Sequence, residues 1–427
     1  MKKGYSPQRI PLTSFLVFLS LFFLLLCLAG CQSQSVTSGA PIGQADNTVP
    51  ASKPETKPEY ITKKDTVTLI ALGDILMHNT LIWSGGQPDG NYAFDFFGEV
   101  RDLMEEGDYC TTNLETALAG PETGYTGYPL FNSPDPVADH LKEYGVDGVV
   151  ATNNHLLDRG YQGALRTVKV LEEAGLDTIG IKKSAEDPGF LIKNIRGAQV
   201  GYLSYTYGTN GLSLPTEHTY FVNMLEKERI LQDIDALRPQ VDLLILVLHW
   251  GVEYSTEPTA EQRSLAREFL EAGADAIVGS HPHVIQPVEY FTIDGKKKFV
   301  AYSIGNLIGD QRGQERNSGV ILQLKFSIEK VMQPSVTESV TSTKAMKSDA
   351  RLISHTVKLD EVKLIPTFSH SYTKEGRQQF RVIPVEETIE KIKTNKEKIL
   401  TGANLPLLEN VLKTTQDRLS RFTTNEL

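Results

Sequence analysis

The chain has 427 residues, of which 40% are hydrophobic, 8% aromatic and 22% charged; this is ordinary globular chemistry and argues against a disordered, collagenous or coiled-coil protein. Its 43 Lys and Arg against 53 Asp and Glu leave a formal charge of −10, which excludes a general nucleic-acid binder, since phosphate backbones are held largely by basic side chains. Three cysteines are too few for a disulfide framework, and the length suits one large embellished domain or two domains.

At the N-terminus Lys2, Lys3 and Arg9 precede an apolar run from about Phe15 to Ala29. About 15 apolar residues are short for a membrane span, which takes about 20. A basic start, an apolar middle and a small-residue end describe a secretory signal. Leu28-Ala29-Gly30-Cys31 resembles the lipobox of bacterial lipoproteins, in which the cysteine is lipidated and becomes the mature N-terminus. Residues 1–30 are therefore expected to be a lipoprotein signal peptide and Cys31 a lipidation site. The expected location is the extracellular face of the cytoplasmic membrane, held by lipid. Losing Lys2, Lys3 and Arg9 takes the charge from −10 to −13. Cys27 leaves with the signal and Cys31 carries lipid, so Cys110 has no partner and the fold must be held by its core. Residues 31–65 are rich in Ser, Thr, Pro, Gly, Lys and Glu and read as a flexible tether.

Residues 66–330 alternate strand and helix signals. Val67–Leu72 is an apolar strand running into Gly73-Asp74. A helix is expected around Phe94–Glu106, then a strand over Tyr109–Leu114 running into Glu115. A helix near Pro136–Tyr144 precedes a strand over Val146–Ala151, which runs into Asn153-Asn154-His155. The next helix carries Leu165, Val168 and Leu171 on one face. Another strand is expected near Asp177–Ile181, and Phe190–Ile195 with Val200–Tyr205 reads as a hairpin. A helix over Leu225–Leu237 leads to Val241–Leu248, continuously apolar like a strand buried on both faces, and delivers His249. A helix over Ala260–Ala272 leads to the strand Ala274–Val278, which delivers His281-Pro282-His283. Residues 331–385 read as a β-rich extension of the second sheet, with a polar loop from Gln333 to Ala350. Residues 386–427 read as helical.

Asp74, Glu115, Asn154, His155, His249, His281 and His283 thus all fall just after predicted strands, where α/β sheets gather their ligand sites. Each has a plainer reading when taken alone. His281 and His283 could be loop histidines, His249 a hydrogen-bonded core histidine, Asp74 a helix cap, Asn113 and Asn154 turn formers, and Cys110 a small buried apolar residue. Together, Asp74, Glu115, Asn154, His249, His281 and His283 make an oxygen and nitrogen shell without sulfur, suited to Mn, Zn or Fe. A carboxylate can bridge two ions about 3.5–4 Å apart, so the shell has room for one or two. His155 is then placed as a proton donor outside the ligand set.

These residues carry a resemblance to the capsule-synthesis CapA family, also called the poly-γ-glutamate synthesis PgsA family, itself similar to calcineurin-like metallophosphoesterases. The matching segments are Gly73-Asp74-Ile75-Leu76-Met77, Asn113-Leu114-Glu115, Asn153-Asn154-His155 with Asp158, His249-Trp250-Gly251-Val252-Glu253, Gly279-Ser280-His281-Pro282-His283-Val284 and Tyr302-Ser303-Ile304-Gly305-Asn306. The resemblance implies a four-layer α-β-β-α sandwich with a metal rim, here with C-terminal β-hairpins and a terminal helix. It also implies export and a link to poly-γ-glutamate or another capsule polymer. The chain departs from the wider metallophosphoesterase pattern in three places. Asp-x-His becomes Asp74-Ile75-Leu76, the bridging Asp becomes Glu115, and Gly-Asn-His-Asp/Glu becomes Asn153-Asn154-His155-Leu156. His78 is the nearest substitute for the missing histidine. Two functions fit: a metal-dependent hydrolase or transferase acting on a phosphoester or on a γ-glutamyl amide of an anionic polymer, or a non-catalytic subunit beside membrane polymer-synthase subunits with a structural or residual metal site. Lys296-Lys297-Lys298 is a candidate patch for an anionic polymer.

Overall fold

The computed structural model describes residues 60–334 and 351–420. The predicted signal peptide, Cys31, the tether up to residue 59, residues 335–350 of the polar loop and residues 421–427 lie outside the described residues. The first half of the fold comprises β1 (Ile61–Ile75), α1 (Asn79–Gly85), α2 (Arg101–Glu105), β2 (Tyr109–Leu114), α3 (Pro136–Glu143), β3 (Gly148–Val150), α4 (Gly160–Glu173) and β4 (Asp177–Ile179). The second comprises β5 (Phe190–Ile195), β6 (Ala198–Thr206), α5 (Lys227–Leu237), β7 (Leu243–His249), α6 (Ala260–Ala272), β8 (Ala276–Ser280), β9 (Val288–Ile293), β10 (Lys296–Ala301) and β11 (Asn306–Ile308). β12 (Ser318–Gln333), β13 (Arg351–Lys374), β14 (Arg377–Pro384), α7 (Val385–Lys393) and α8 (Leu405–Leu419) complete the fold.

Two sheets result. One runs β14-β13-β12-β1-β2-β3-β4, with β11 pairing the end of β1; the other runs β5-β6-β7-β8-β10-β9. β7 shows why they stack. Its residues are all buried. Leu243, Ile245 and Val247 enter the core between the sheets with Leu69, Tyr109 and Val150 of the first sheet. Leu244, Leu246 and Leu248 face the other way, against Ile234 of α5 and Phe269 of α6. Each fully buried Leu or Ile contributes about 1.5–3 kcal/mol, so a seven-residue apolar strand has a strong reason to sit between two cores. The outer face of the first sheet is covered by α3 and α4 through Leu141 and Leu171. Helix, sheet, sheet and helix make the four layers that the resemblance implied. No helix of the described residues is long and apolar enough to cross a membrane.

Local chemistry sets the element ends. α6 starts on a capping box: Gln262 N–H donates to Thr259 Oγ1 at 3.1 Å, and Thr259 N–H donates to Gln262 Oε1 at 2.9 Å. The β5–β6 hairpin turns on Arg196-Gly197, both with positive φ, as a two-residue turn of the right twist demands.

Four expectations need correction. Ile61–Asp65, read as the end of the tether, opens β1, because antiparallel pairing with Ile328–Met332 satisfies its backbone. The helix expected over Phe94–Glu106 shrinks to α2, since Phe96 and Phe97 are buried against His140 and the Phe96 N–H donates to that ring at 3.2 Å. β12, β13 and β14 extend the sheet of β1, not the second sheet; β12 covers the edge of β1 that β2 leaves open. The terminal helix is broken between α7 and α8, where Asn395 takes φ +55°. Of the lysine triplet, Lys296 and Lys297 are exposed. Lys298 is buried in β10, and its Nζ donates to Leu270 and Ala274 carbonyls at the end of α6 at 2.6 and 2.8 Å.

Candidate metal centre

The parallel strands β1, β2 and β3 of one sheet and β6, β7 and β8 of the other end on a common rim. Asp74 reaches it through a bulge: Leu72 pairs with Thr112 but Asp74 with Asn113, leaving Gly73 extra. A Cβ on Gly73 would lie 2.2 Å from the Gly305 carbonyl oxygen, so only glycine lets β11 close over this bulge. Glu115 follows β2 directly, Asn154 and His155 lie in the turn after β3, and His249 ends β7. His281 and His283 follow β8 in left-handed backbone, with φ of +96° and +56°. Non-glycine residues hold such angles only when their surroundings over-determine them, and these residues cluster at functional sites.

All seven predicted residues come together there, and all are buried. A donor atom each from Glu115, His249 and His281 lies within 4.8 Å of the others; so does one each from Asp74, Glu115 and His283. Glu115 is shared. Its Oε1 stands 3.5 Å from His249 Nε2 and 3.7 Å from His283 Nε2. Asn154 Oδ1 lies 2.9 Å from His249 Nε2, beside the first group. A divalent cation fits these residues on an observation independent of the count: Glu115 Oε1 and His281 Nδ1 are buried without any hydrogen-bond partner among the described residues. Leaving such atoms unpaired costs about 1–3 kcal/mol each, and more for a charged group.

A hydrogen-bonded frame fixes the donors. Asn113 Nδ2 donates to Asp74 Oδ1 at 2.8 Å and to Glu115 Oε2 at 3.2 Å. Asn153 Nδ2 donates to Asn113 Oδ1 at 3.1 Å and to the Leu114 carbonyl at 2.8 Å. Ser280 Oγ lies 2.9 Å from His249 Nδ1, and Asn306 Oδ1 lies 3.1 Å from His283 Nδ1. The His281 N–H donates to Asp74 Oδ2 at 3.2 Å. Partners of this kind set ring orientation and tautomer at metal sites.

Electrostatics divide the histidines. Burial, then the neighbouring His281 and His283, hold His249 well below the usual imidazole range. Burial, then His283, pushes His281 down to about 4. Both rings are therefore neutral and offer lone pairs. Burial also opposes charge on His283, but Glu115 and Asp74 outweigh it and raise this group to about 9. Burial raises Glu115 to about 7, with His283 pulling the other way.

His155 stands outside both groups. Its Nδ1 lies 2.7 Å from Asp158 Oδ2, its ring packs edge-on to Phe131 at 4.7 Å, and its N–H donates to Asn153 Oδ1 at 3.1 Å. Asp158 also accepts the Phe131 N–H at 2.7 Å. His78 belongs to neither ligand group; its Nδ1 accepts the Asp310 N–H at 3.2 Å. Cys110 is buried in the core, where burial pushes its thiol well up. Glu289 accepts from Tyr302 at 2.8 Å, away from the rim histidines.

Sequence reading missed the roles of Asn113, Asn153 and Asn306, though all three lie in the segments that carry the resemblance. It had no signal for Tyr207, whose ring lies 4.4 Å from that of His281, or for Asn210, which accepts from Asn154 at 3.1 Å. Tyr207 also walls a cleft of about 340 Å³ floored by Trp250, Val252 and Leu265.

Residues 68–311 match the family described as bacterial capsule synthesis protein PGA_cap. The chain is 27% identical over 271 residues to the capsule biosynthesis protein CapA of Bacillus anthracis, covering 61% of this chain and 64% of that one. It is 26% identical over 281 residues to the PGA biosynthesis protein CapA of Bacillus subtilis (strain 168), covering 64% and 71%. The chain thus spans less than two thirds of the length of the Bacillus anthracis relative. Among solved structures, NAD nucleotidase of Haemophilus influenzae is 13% identical with a TM-score of 0.41, covering 82% of this chain and 63% of that one. Since the matched residues 68–311 run through Asp74, Glu115, Asn154, His155, His249, His281 and His283 and make up more than half of the sequence, this chain belongs to the bacterial capsule synthesis PGA_cap family.

Proposed function

We propose that this protein is an exported, lipid-anchored member of the capsule machinery whose rim site is a metal-dependent hydrolase or transferase acting on an anionic capsule polymer such as poly-γ-glutamate, or on a phosphoester. The observation that carries it is Glu115, shared between two ligand groups with one oxygen buried and unpartnered. Asp74, Glu115 and His283 would hold one ion, and Glu115, His249, His281 and Asn154 a second. A bound divalent ion supplies Lewis-acid polarisation of a carbonyl or phosphoryl oxygen and an activated water. The chain's own residues do the rest. Asp158 holds His155 through Nδ1, which leaves Nε2 to give a proton to a leaving group. Asn113 and Asn153 keep the carboxylates aimed, and the Tyr207 ring shields His281 from solvent. A buried site of this kind needs no proton donor if the metal is structural, so the His155–Asp158 pair favours catalysis.

One observation favours a non-catalytic subunit of a membrane polymer synthase: buried Leu76 stands where the resemblance places a histidine ligand, and His78 does not replace it. Elemental analysis of the purified protein, beside polymer formation by cells carrying variants, separates the two. His281→Ala and Glu115→Ala should lose metal and polymer together, while His155→Ala should keep metal and lose polymer. Normal polymer with His155→Ala alone would make the site structural. Normal metal and polymer in every variant would remove the metal site altogether. The lipid anchor is tested by fractionating cells that carry Cys31→Ser, which should release the protein from the membrane. Unchanged processing and retention would rule the anchor out.

A further inference from the structure

We propose that Arg316 is the anion-holding, specificity-determining residue at the mouth of the metal centre, gripping an oxyanion of the substrate beside His283. The inference rests on the metal-site reading above. Its basis is the way Arg316 is built into the ring's surroundings. The Arg316 guanidinium carbon lies 3.7 Å from the centre of the Tyr254 ring. That ring is 6.1 Å from His283, and Tyr254 is 39% exposed, so it links the buried imidazole to the surface. The Tyr254 N–H donates to the Pro282 carbonyl at 2.8 Å, which ties the tyrosine to the turn carrying both rim histidines. Tyr254 itself takes φ +64°, a strained angle for an aromatic residue. By a second route, Asn306 Nδ2 donates to the Arg316 carbonyl at 2.7 Å, while Asn306 Oδ1 faces His283 Nδ1 at 3.1 Å. Arg316 is thus tied to two neighbours of His283, to Tyr254 by its side chain and to Asn306 by its backbone carbonyl.

Among the described residues Arg316 has no ion-pair partner, whereas its neighbour Glu315 is taken by Arg418 at 2.7 Å. Stacking a guanidinium by its face leaves its N–H edge free, pre-oriented for two parallel hydrogen bonds to a carboxylate or phosphate. An anion held there would be gripped at one place, by one fork. The ligand chemistry is an oxyanion group, either the free carboxylate of a γ-glutamyl residue or a non-reacting oxygen of a phosphoester.

The test uses full-length protein in detergent, loaded with Mn²⁺, and titrated in a calorimeter with two probes: penta-γ-glutamate and inorganic phosphate. Wild type should bind at least one, and the one bound identifies the source of the oxyanion. Arg316→Gln should weaken that binding about 10- to 100-fold, the worth of a charge-assisted pair, with Mn²⁺ content unchanged. Arg316→Lys, which keeps the charge and loses the fork, should fall between. If Arg316→Gln holds Mn²⁺ and binds the probe like wild type, the inference is overturned. It is overturned too if wild type holds Mn²⁺ and binds neither probe. Should Arg316→Gln lose Mn²⁺, Arg316→Lys decides: a metal-loaded Lys variant with undiminished affinity refutes the fork. A wild-type protein that takes up no Mn²⁺ is a different result, sinking the metal-site reading itself.

Discussion

Glu115 Oε1 and His283 Nε2 face each other across 3.7 Å in full burial, a carboxylate and an imidazole that share one proton's worth of compensation. Glu115 and Asp74 raise His283 to about 9 against the effect of burial, so below that pH its proton supplies the positive charge the carboxylates need. A metal must displace that proton, because only neutral imidazole is a ligand. The sign follows: affinity rises with pH up to about 9 and falls steadily below it. An unperturbed histidine, at about 6.5, would place the loss lower; the carboxylates move it upward. We expect binding of the ion held by His283 to release about one proton near pH 8, while the ion between the neutral His249 and His281 releases none. Calorimetry in two buffers of different ionisation heat measures it. Binding heats that do not depend on the buffer would refute the pairing.

His155 and Asp158 act as a unit. Asp158→Asn keeps the shape but replaces an acceptor by an amide, so the imidazole loses its fixed tautomer. Polymer formation should fall in both Asp158→Asn and His155→Ala, since general acid catalysis is worth about 10²–10⁴-fold. Metal content should match wild type in both. A metal-depleted Asp158→Asn protein would mean that Asp158 supports the ligands instead.

Gly73→Ala tests the bulge. The added methyl meets backbone of β11, not a flexible side-chain end, so the strands must part. A cost of about 3 kcal/mol or more is expected, and with it the position of Asp74. Melting midpoint and metal content should drop together. A variant that melts normally would show that β11 can shift without loss.

Arg381 and Glu397 set an acid limit to stability. Their side chains are 7% and 5% exposed and meet at 2.7 Å, joining β14 to the segment between α7 and α8. Burial disfavours the Glu397 charge, but Arg381 and the Ile399 and Leu400 N–H groups outweigh it and bring the group down to about 2. Its folded value lies below the unfolded value of about 4.3. The contribution is therefore complete above pH 4.3 and is lost as pH falls toward about 2. Glu397→Gln should cost about 2 kcal/mol at pH 7 and flatten the melting curve's pH dependence in that window. Equal slopes for variant and wild type would exclude the pair as its source.

Some of this protein was legible residue by residue. The period of apolar residues marked β2, α6 and β7 closely, because alternating cores above and below a strand demand it. The rim residues were legible as a group because Asp74, Glu115, Asn154, His155, His249, His281 and His283 all follow apolar strand runs closely. Short-range chemistry was enough for these. What needed the tertiary structure was anything set by distant partners. Phe96 and Phe97 left the helix pattern for His140, and Ile61–Asp65 became strand only because β12 lay alongside. Lys298 looked like a surface charge, but its Nζ donates to carbonyls at the end of α6. The bridging place of Glu115 depended on two sheets meeting, since His249 and His283 come from strands far from β2 in sequence. Chain order says which donors arrive at a rim; only packing decides which atoms are left there without a partner, as Glu115 Oε1 and His281 Nδ1 are.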